Sequence, residues 1–187
     1  EPFSVAYMLG FAVLLVAGPT MYLLTEATGQ RRLKELLVAY MLNYAVGTVC
    51  YTLFIGYGPR WFLDSVDGLM YQFYPETQEL TAAVASNTNV FPSLHTSLSV
   101  AAFAVAWRSR RTFPRWTVVS AALAAGVVYS TMYLGIHWAT DVVAGAALGV
   151  ASVAAATRIV DRAETRSVVT DPDTLDDATP AGRSGDD

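Results

Sequence analysis

The sequence predicts an all-α, polytopic transmembrane helix bundle. Three observations carry that class. Hydrophobic residues make up 53% of the 187 positions and charged residues only 15%. The charges cluster between apolar stretches, and those stretches approach the roughly 20 helical residues that cross a hydrocarbon core of about 30 Å. Five such stretches can be read, which is one membrane domain over residues 1–166.

The first stretch runs from Phe3 to Leu24 and the second from Leu36 to Tyr57, with Arg31, Arg32 and Lys34 between them. The third, Ser93 to Trp107, is short. The fourth (Trp116 to Ile136) and fifth (His137 to Val160) are nearly continuous, and Gly135 marks the break between them. Arg108, Arg110, Arg111 and Arg115 separate the third from the fourth, while Arg158, Arg162 and Arg166 close the fifth. Basic loops stay cytoplasmic. Odd-even threading therefore puts all three groups inside and the segments Arg60 to Val90 and Leu134 to His137 outside. Trp61, Trp107, Trp116 and Trp138 fall at span ends, at headgroup level.

The chain opens without Met and the threading places Glu1 outside, so a sixth span is expected before Glu1. Between the second and third spans, Phe62, Val66, Leu69 and Phe73 recur at helical spacing opposite Asp64, Asp67 and Gln72. This is an interfacial helix, serving either as plain surface or as a cover over an outer-face site. From Ser167 the chain turns acidic, with Asp171, Asp173, Asp176, Asp177, Asp186 and Asp187 against Arg183 and no aromatic residue. A disordered cytoplasmic tail over residues 167–187 is expected. It carries most of the net charge of −4, and no basic patch suited to nucleic acid remains. Cys50 is the single cysteine and sits among apolar neighbours, which excludes an internal disulfide.

Chemistry is signalled by polar groups that a membrane excludes. In Phe91-Pro92-Ser93-Leu94-His95-Thr96-Ser97 a Pro and a Ser mark a helix start, with an imidazole in its first turn. Free amides there favour an anion. In Gly135-Ile136-His137-Trp138-Ala139-Thr140-Asp141, His137 and Asp141 share one helix face, about 6 Å apart along the axis. The carboxylate can orient the imidazole. An ionised group at that depth costs on the order of 3 kcal/mol unless paired or hydrated. Every other Lys or Arg is assigned to the cytoplasmic side or the tail, which leaves Arg60 to meet a phosphate at the outer site, and its fork suits phosphate oxygens.

These residues resemble the type 2 phosphatidic acid phosphatase superfamily, and within it the branch containing fungal inositol phosphorylceramide synthases. Phe91-Pro92-Ser93-Leu94-His95 is similar to that branch's second motif, where many phosphatases have Gly at the position of Leu94. The run from Ser130 to Gly145 is similar to the third motif. The resemblance covers roughly Tyr57 to Gly149 and includes the expected order and spacing of spans. The resemblance implies that His137 is a nucleophile forming a phosphohistidine, Asp141 its orienting carboxylate and His95 the acid that protonates the leaving oxygen. It implies no cofactor and no metal, and it places Arg60, Ser93 and Thr131 at the substrate. The first motif is partial: Leu53 stands where the phosphatases have Lys, and Pro59-Arg60 reverses their Arg-Pro pair. Thr131 stands where the third motif usually has Arg, as in the synthase branch.

The implied substrate is a lipid phosphate, either a one- or two-chain phospholipid or a polyprenyl phosphate, reached from the membrane lipids at the extracytoplasmic face. Water as acceptor makes a phosphatase; a lipid or polyol hydroxyl makes a headgroup transferase. A haem or metal binder using His95 and His137 is an alternative of another class, and a non-catalytic scaffold is a third.

Overall fold

The computed structural model describes residues 2–25, 27–63 and 89–170. Helix α1 (Pro2–Val5) passes through a π turn (Ala6–Gly10) into α2 (Phe11–Leu23), so that the first span is one rod. Then follow α3 (Ala27–Leu53), a 3-10 turn (Pro59–Trp61), α4 (Leu94–Arg108), α5 (Pro114–Tyr133) and α6 (Ala139–Thr170). No strand occurs among the described residues. The predicted all-α class is therefore what the chain adopts.

Four helical rods are long and apolar enough to cross a membrane: Phe3–Leu23, Gly29–Leu53, Pro114–Tyr133 and Ala139–Arg166. Their outward faces expose Leu9, Val16, Met41, Val118 and Val143, each more than half accessible. An apolar belt of that size belongs against lipid. The third predicted span, α4, has 15 residues and falls short of that length. It lies at the centre, packed against α2, α3, α5 and α6. Thr96, Ser97, Leu98, Ser99, Ala101, Ala102, Val105 and Ala106 are all buried on it.

Glycine makes this central packing possible. A Cβ added at Gly145 or Gly149 of α6 would fall inside van der Waals contact with the carbonyl oxygens of Ser93 and Ser97 respectively. The α4 and α6 backbones thus cross at a distance only hydrogen atoms permit. Further along, Leu14, Tyr22, Leu36, Ala101, Val105, Val127, Val153 and Ala156 form the shared core.

Two helices run further than the hydropathy pattern predicts. The second span begins before Arg31, and the fifth continues past Val160. The cause is a charge cluster at the end of the bundle remote from His95. Glu35, fully buried, pairs with Arg31 (3.4 Å), Arg32 and Arg108 (3.5 Å). Arg31 also reaches Asp161 and Glu164 of α6, and Lys34 reaches Glu164. Charges that look like a loop in sequence are instead neutralised across helices. Most of the expected interfacial helix and most of the acidic tail lie outside the described residues.

Candidate active site

The turn between α5 and α6 is built from its backbone outward. Gly135 adopts φ 64°, a left-handed conformation that L side chains resist. Its amide donates to the Met132 carbonyl at 3.0 Å, and the Ile136 amide donates to the Thr131 carbonyl at 3.1 Å. Those are the two bonds of a Schellman ending. The His137 amide also donates to the Thr131 carbonyl, at 3.2 Å. Helix α6 restarts at once, and the Asp141 carboxylate accepts the Trp138 amide at 2.8 Å. This is the back-reaching half of a capping box. Asp141 therefore has a structural task that sequence reading did not find.

At the start of α4, the Phe91–Pro92 peptide is cis and Ser93 is the N-cap, its hydroxyl accepting the Thr96 amide at 3.3 Å. The Ser93 amide donates to the Asp141 carbonyl at 3.0 Å, and the Tyr51 hydroxyl donates to the Pro92 carbonyl at 3.0 Å. The two motifs are thus joined directly, and α3 holds the second from the side.

The segment from Tyr57 to Arg60 docks on the same turn. The Arg60 amide donates to the Gly135 carbonyl at 3.2 Å, and the Trp138 indole donates to the Tyr57 carbonyl at 2.9 Å. Gly58 sits so close to the Ile136 carbonyl that no Cβ fits there. Backbone contacts alone therefore gather Arg60, Ser93, His95, Thr131, His137 and Asp141 into one cluster. The side chains differ in what they offer. Thr131 is fully buried and its hydroxyl donates to the Val128 carbonyl at 2.7 Å, back along its own helix.

The two imidazole rings lie 6.5 Å apart, centroid to centroid, inclined at 52°. His137 is 4% exposed, with Nδ1 3.8 Å from an Asp141 carboxylate oxygen. That is ion-pair distance but beyond hydrogen-bond reach, and Nδ1 has no hydrogen-bond partner. A buried ring nitrogen without a partner calls for an explanation, and the Asp141 carboxylate is the charged group that faces it. His95 is half-buried and packed by aromatic rings of the first span: Tyr7 at 4.6 Å and Phe11 at 4.5 Å. The Tyr7 hydroxyl lies 3.4 Å from His95 Nδ1. Nothing in the sequence distinguished Tyr7 from other aromatics of an apolar span, and only the helix packing shows it. No group of three or more His, Cys, Asp or Glu is placed to hold a metal ion among the described residues.

Comparison with known families settles membership. A model of the PAP2 superfamily matches residues 32–164, most of the chain and every helix of the His95–His137 cluster except the first. The chain belongs to the PAP2 superfamily. Proteins of the PAP2 superfamily are of the phosphatase and phosphotransferase type, and the four membrane-length helices fit an integral-membrane member. No curated protein matches the chain. No solved structure matches it either.

Proposed function

We propose that the protein is an integral-membrane lipid phosphatase or phosphotransferase that works through a phosphohistidine on His137. The observation that carries this is the His137 ring: buried, its Nδ1 unpartnered and facing Asp141 at 3.8 Å, with the His95 ring 6.5 Å away. With Nδ1 turned to the carboxylate, Nε2 is the nitrogen left to attack phosphorus. As the N–P bond forms, the bond from phosphorus to the lipid oxygen breaks, and that oxygen takes a proton from His95. An acceptor hydroxyl then attacks the phosphohistidine, gives its proton to His95 and releases His137.

Arg60 supplies the cationic contact for the phosphoryl oxygens, together with the amides at the start of α4. Ser93 and Thr131, with hydroxyls turned to their own helices, serve chiefly as the frame that holds them. The substrate is a one- or two-chain phospholipid or a polyprenyl phosphate entering from the bilayer. The basic clusters lie on the cytoplasmic side and the site on the extracytoplasmic face.

Leu94 and Thr131 favour a place near the inositol phosphorylceramide synthase branch, and with it a second reading, transfer of a phosphorylated headgroup to a lipid acceptor. Fewer cations meet the phosphate there than in the phosphatase pattern. A non-catalytic scaffold gains a purpose for Asp141 from its capping bond, but not for the unspent Nδ1 of His137.

The test is phosphate release from a panel of lipid phosphates by purified protein in EDTA, comparing wild type with His137→Ala and His95→Ala, with lipid products read by mass spectrometry. Release by wild type that vanishes in both variants supports hydrolysis. A new phosphorylated lipid without free phosphate supports transfer. Neither product from folded wild type contradicts both.

A further inference from the structure

The imidazole that the proposed reaction uses as its acid is held by a residue outside the matched family region. Tyr7 lies on the first span, before residue 32, where the superfamily match begins. It is 8% exposed and sits in the π turn Ala6–Gly10, a rare local winding often found where a helix must aim side chains at a site. Its ring lies 4.6 Å from the His95 ring at an inclination of 34°, and Phe11, just after the π turn, lies 4.5 Å from it. The Tyr7 hydroxyl is 3.4 Å from His95 Nδ1. Tyr7 also packs against Leu134 and Ile136, the neighbours of Gly135 in the turn that presents His137. One tyrosine thus touches both halves of the cluster.

We infer that Tyr7 is a positioning residue: its hydroxyl donates to His95 Nδ1 and thereby fixes the ring's orientation and its Nε2–H tautomer. The mechanistic consequence rests on the phosphohistidine proposal. A neutral imidazole has one N–H and one acceptor nitrogen, so a donor at Nδ1 sends the proton to Nε2. To act as the acid His95 takes up a second proton, at Nδ1; the Tyr7 hydroxyl then turns from donor to acceptor for Nδ1–H, and Nε2–H of the imidazolium is the group offered to the departing lipid oxygen, which leaves a neutral ring behind. The 3.4 Å separation is long for such a bond. Hydrogen bonds of that kind in ligand-free sites tighten when substrate binds. A tyrosine used only for packing would need the ring and not the hydroxyl.

His95 and His137 are the only two histidines in the chain, so protein labelled with ¹⁵N-histidine gives signals from these two rings alone. The spectrum is recorded for wild type, Tyr7→Phe, and a His137→Gln variant that assigns the pair. His95 is expected in the Nε2–H tautomer in wild type and in an exchanging mixture in Tyr7→Phe, with the His137 signals unmoved. Alongside, kcat of Tyr7→Phe falls about tenfold with KM unchanged, equivalent to roughly 1.4 kcal/mol of transition-state stabilisation. Identical His95 shifts in the two proteins, or an Nδ1–H tautomer in wild type, overturn the inference. Wild type inactive on every lipid phosphate overturns the phosphohistidine proposal instead, and the nitrogen spectra still decide the tautomer.

Discussion

The backbone amide of Ser93 donates to the backbone carbonyl of Asp141 at 3.0 Å, so the helix start that carries His95 is tied to the helix start that carries His137. The spacing of the two helix starts is thereby set by main chain, which does not swing as side chains do. Asp141 serves three ends at once: its carbonyl holds Ser93, its carboxylate caps α6 at Trp138, and the same carboxylate oxygen faces His137.

Asp141→Asn separates these tasks. The amide oxygen can still accept the Trp138 amide, but the charge beside His137 is gone. The expected outcome is a fall in kcat of about a hundredfold, within the range for a lost acid–base partner. The accompanying loss of thermal stability should be near 1 kcal/mol or less, as for a weakened cap. Steady-state kinetics and thermal unfolding of the same preparation check both.

Gly145→Ala places a methyl group against the Ser93 carbonyl, a backbone atom that cannot step aside. Overpacking of this kind costs about 1–3 kcal/mol, and here it also pushes the His95 and His137 helices apart. Gly126, with nothing within 4 Å of an added Cβ, is the matched control. Gly126→Ala should be neutral or stabilise the protein by up to roughly 1 kcal/mol through helix propensity. Melting temperature and turnover should both fall in Gly145→Ala, while Gly126→Ala keeps its turnover and does not melt lower than wild type.

Glu35→Gln leaves Arg31, Arg32 and Arg108 without their shared buried carboxylate. Removing one partner of a buried pair costs about 3 kcal/mol at the low end, which is the relevant end because Arg31 and Arg108 remain about 40% exposed. The cluster lies at the far end of α3 from Tyr51 and Pro92. Turnover per folded molecule should therefore hold while the denaturation midpoint drops.

Sidedness is checked by labelling. In a Cys50→Ser background, Phe62→Cys should react with a membrane-impermeant maleimide in intact cells, and Arg110→Cys only after permeabilisation. The reverse pattern would invert the threading and move the site to the cytoplasmic face.

Much of the candidate site was legible because a membrane makes polar residues conspicuous. His95, His137 and Asp141 stand out in apolar stretches for that reason, and Gly135 announced the turn it makes. The span boundaries near Arg31 and Val160 were less legible, since hydropathy treats a charge cluster as a loop and cannot see Glu35 neutralise it from within a helix. The shortness of α4 reads as a weak span until its central position shows that it has little lipid to face. The contacts of Tyr7 with His95 and of Gly58 with Ile136 are tertiary, and no local pattern encodes them.

The central claim is that His137 becomes covalently phosphorylated. Protein mixed with a lipid phosphate carrying ³²P in its phosphoryl group, quenched within milliseconds into alkali and digested, should yield one labelled peptide containing His137, with the label stable to base, lost in acid and absent from His137→Ala. Rapid turnover by wild type with no base-stable label, or a label that persists in His137→Ala, would contradict the account.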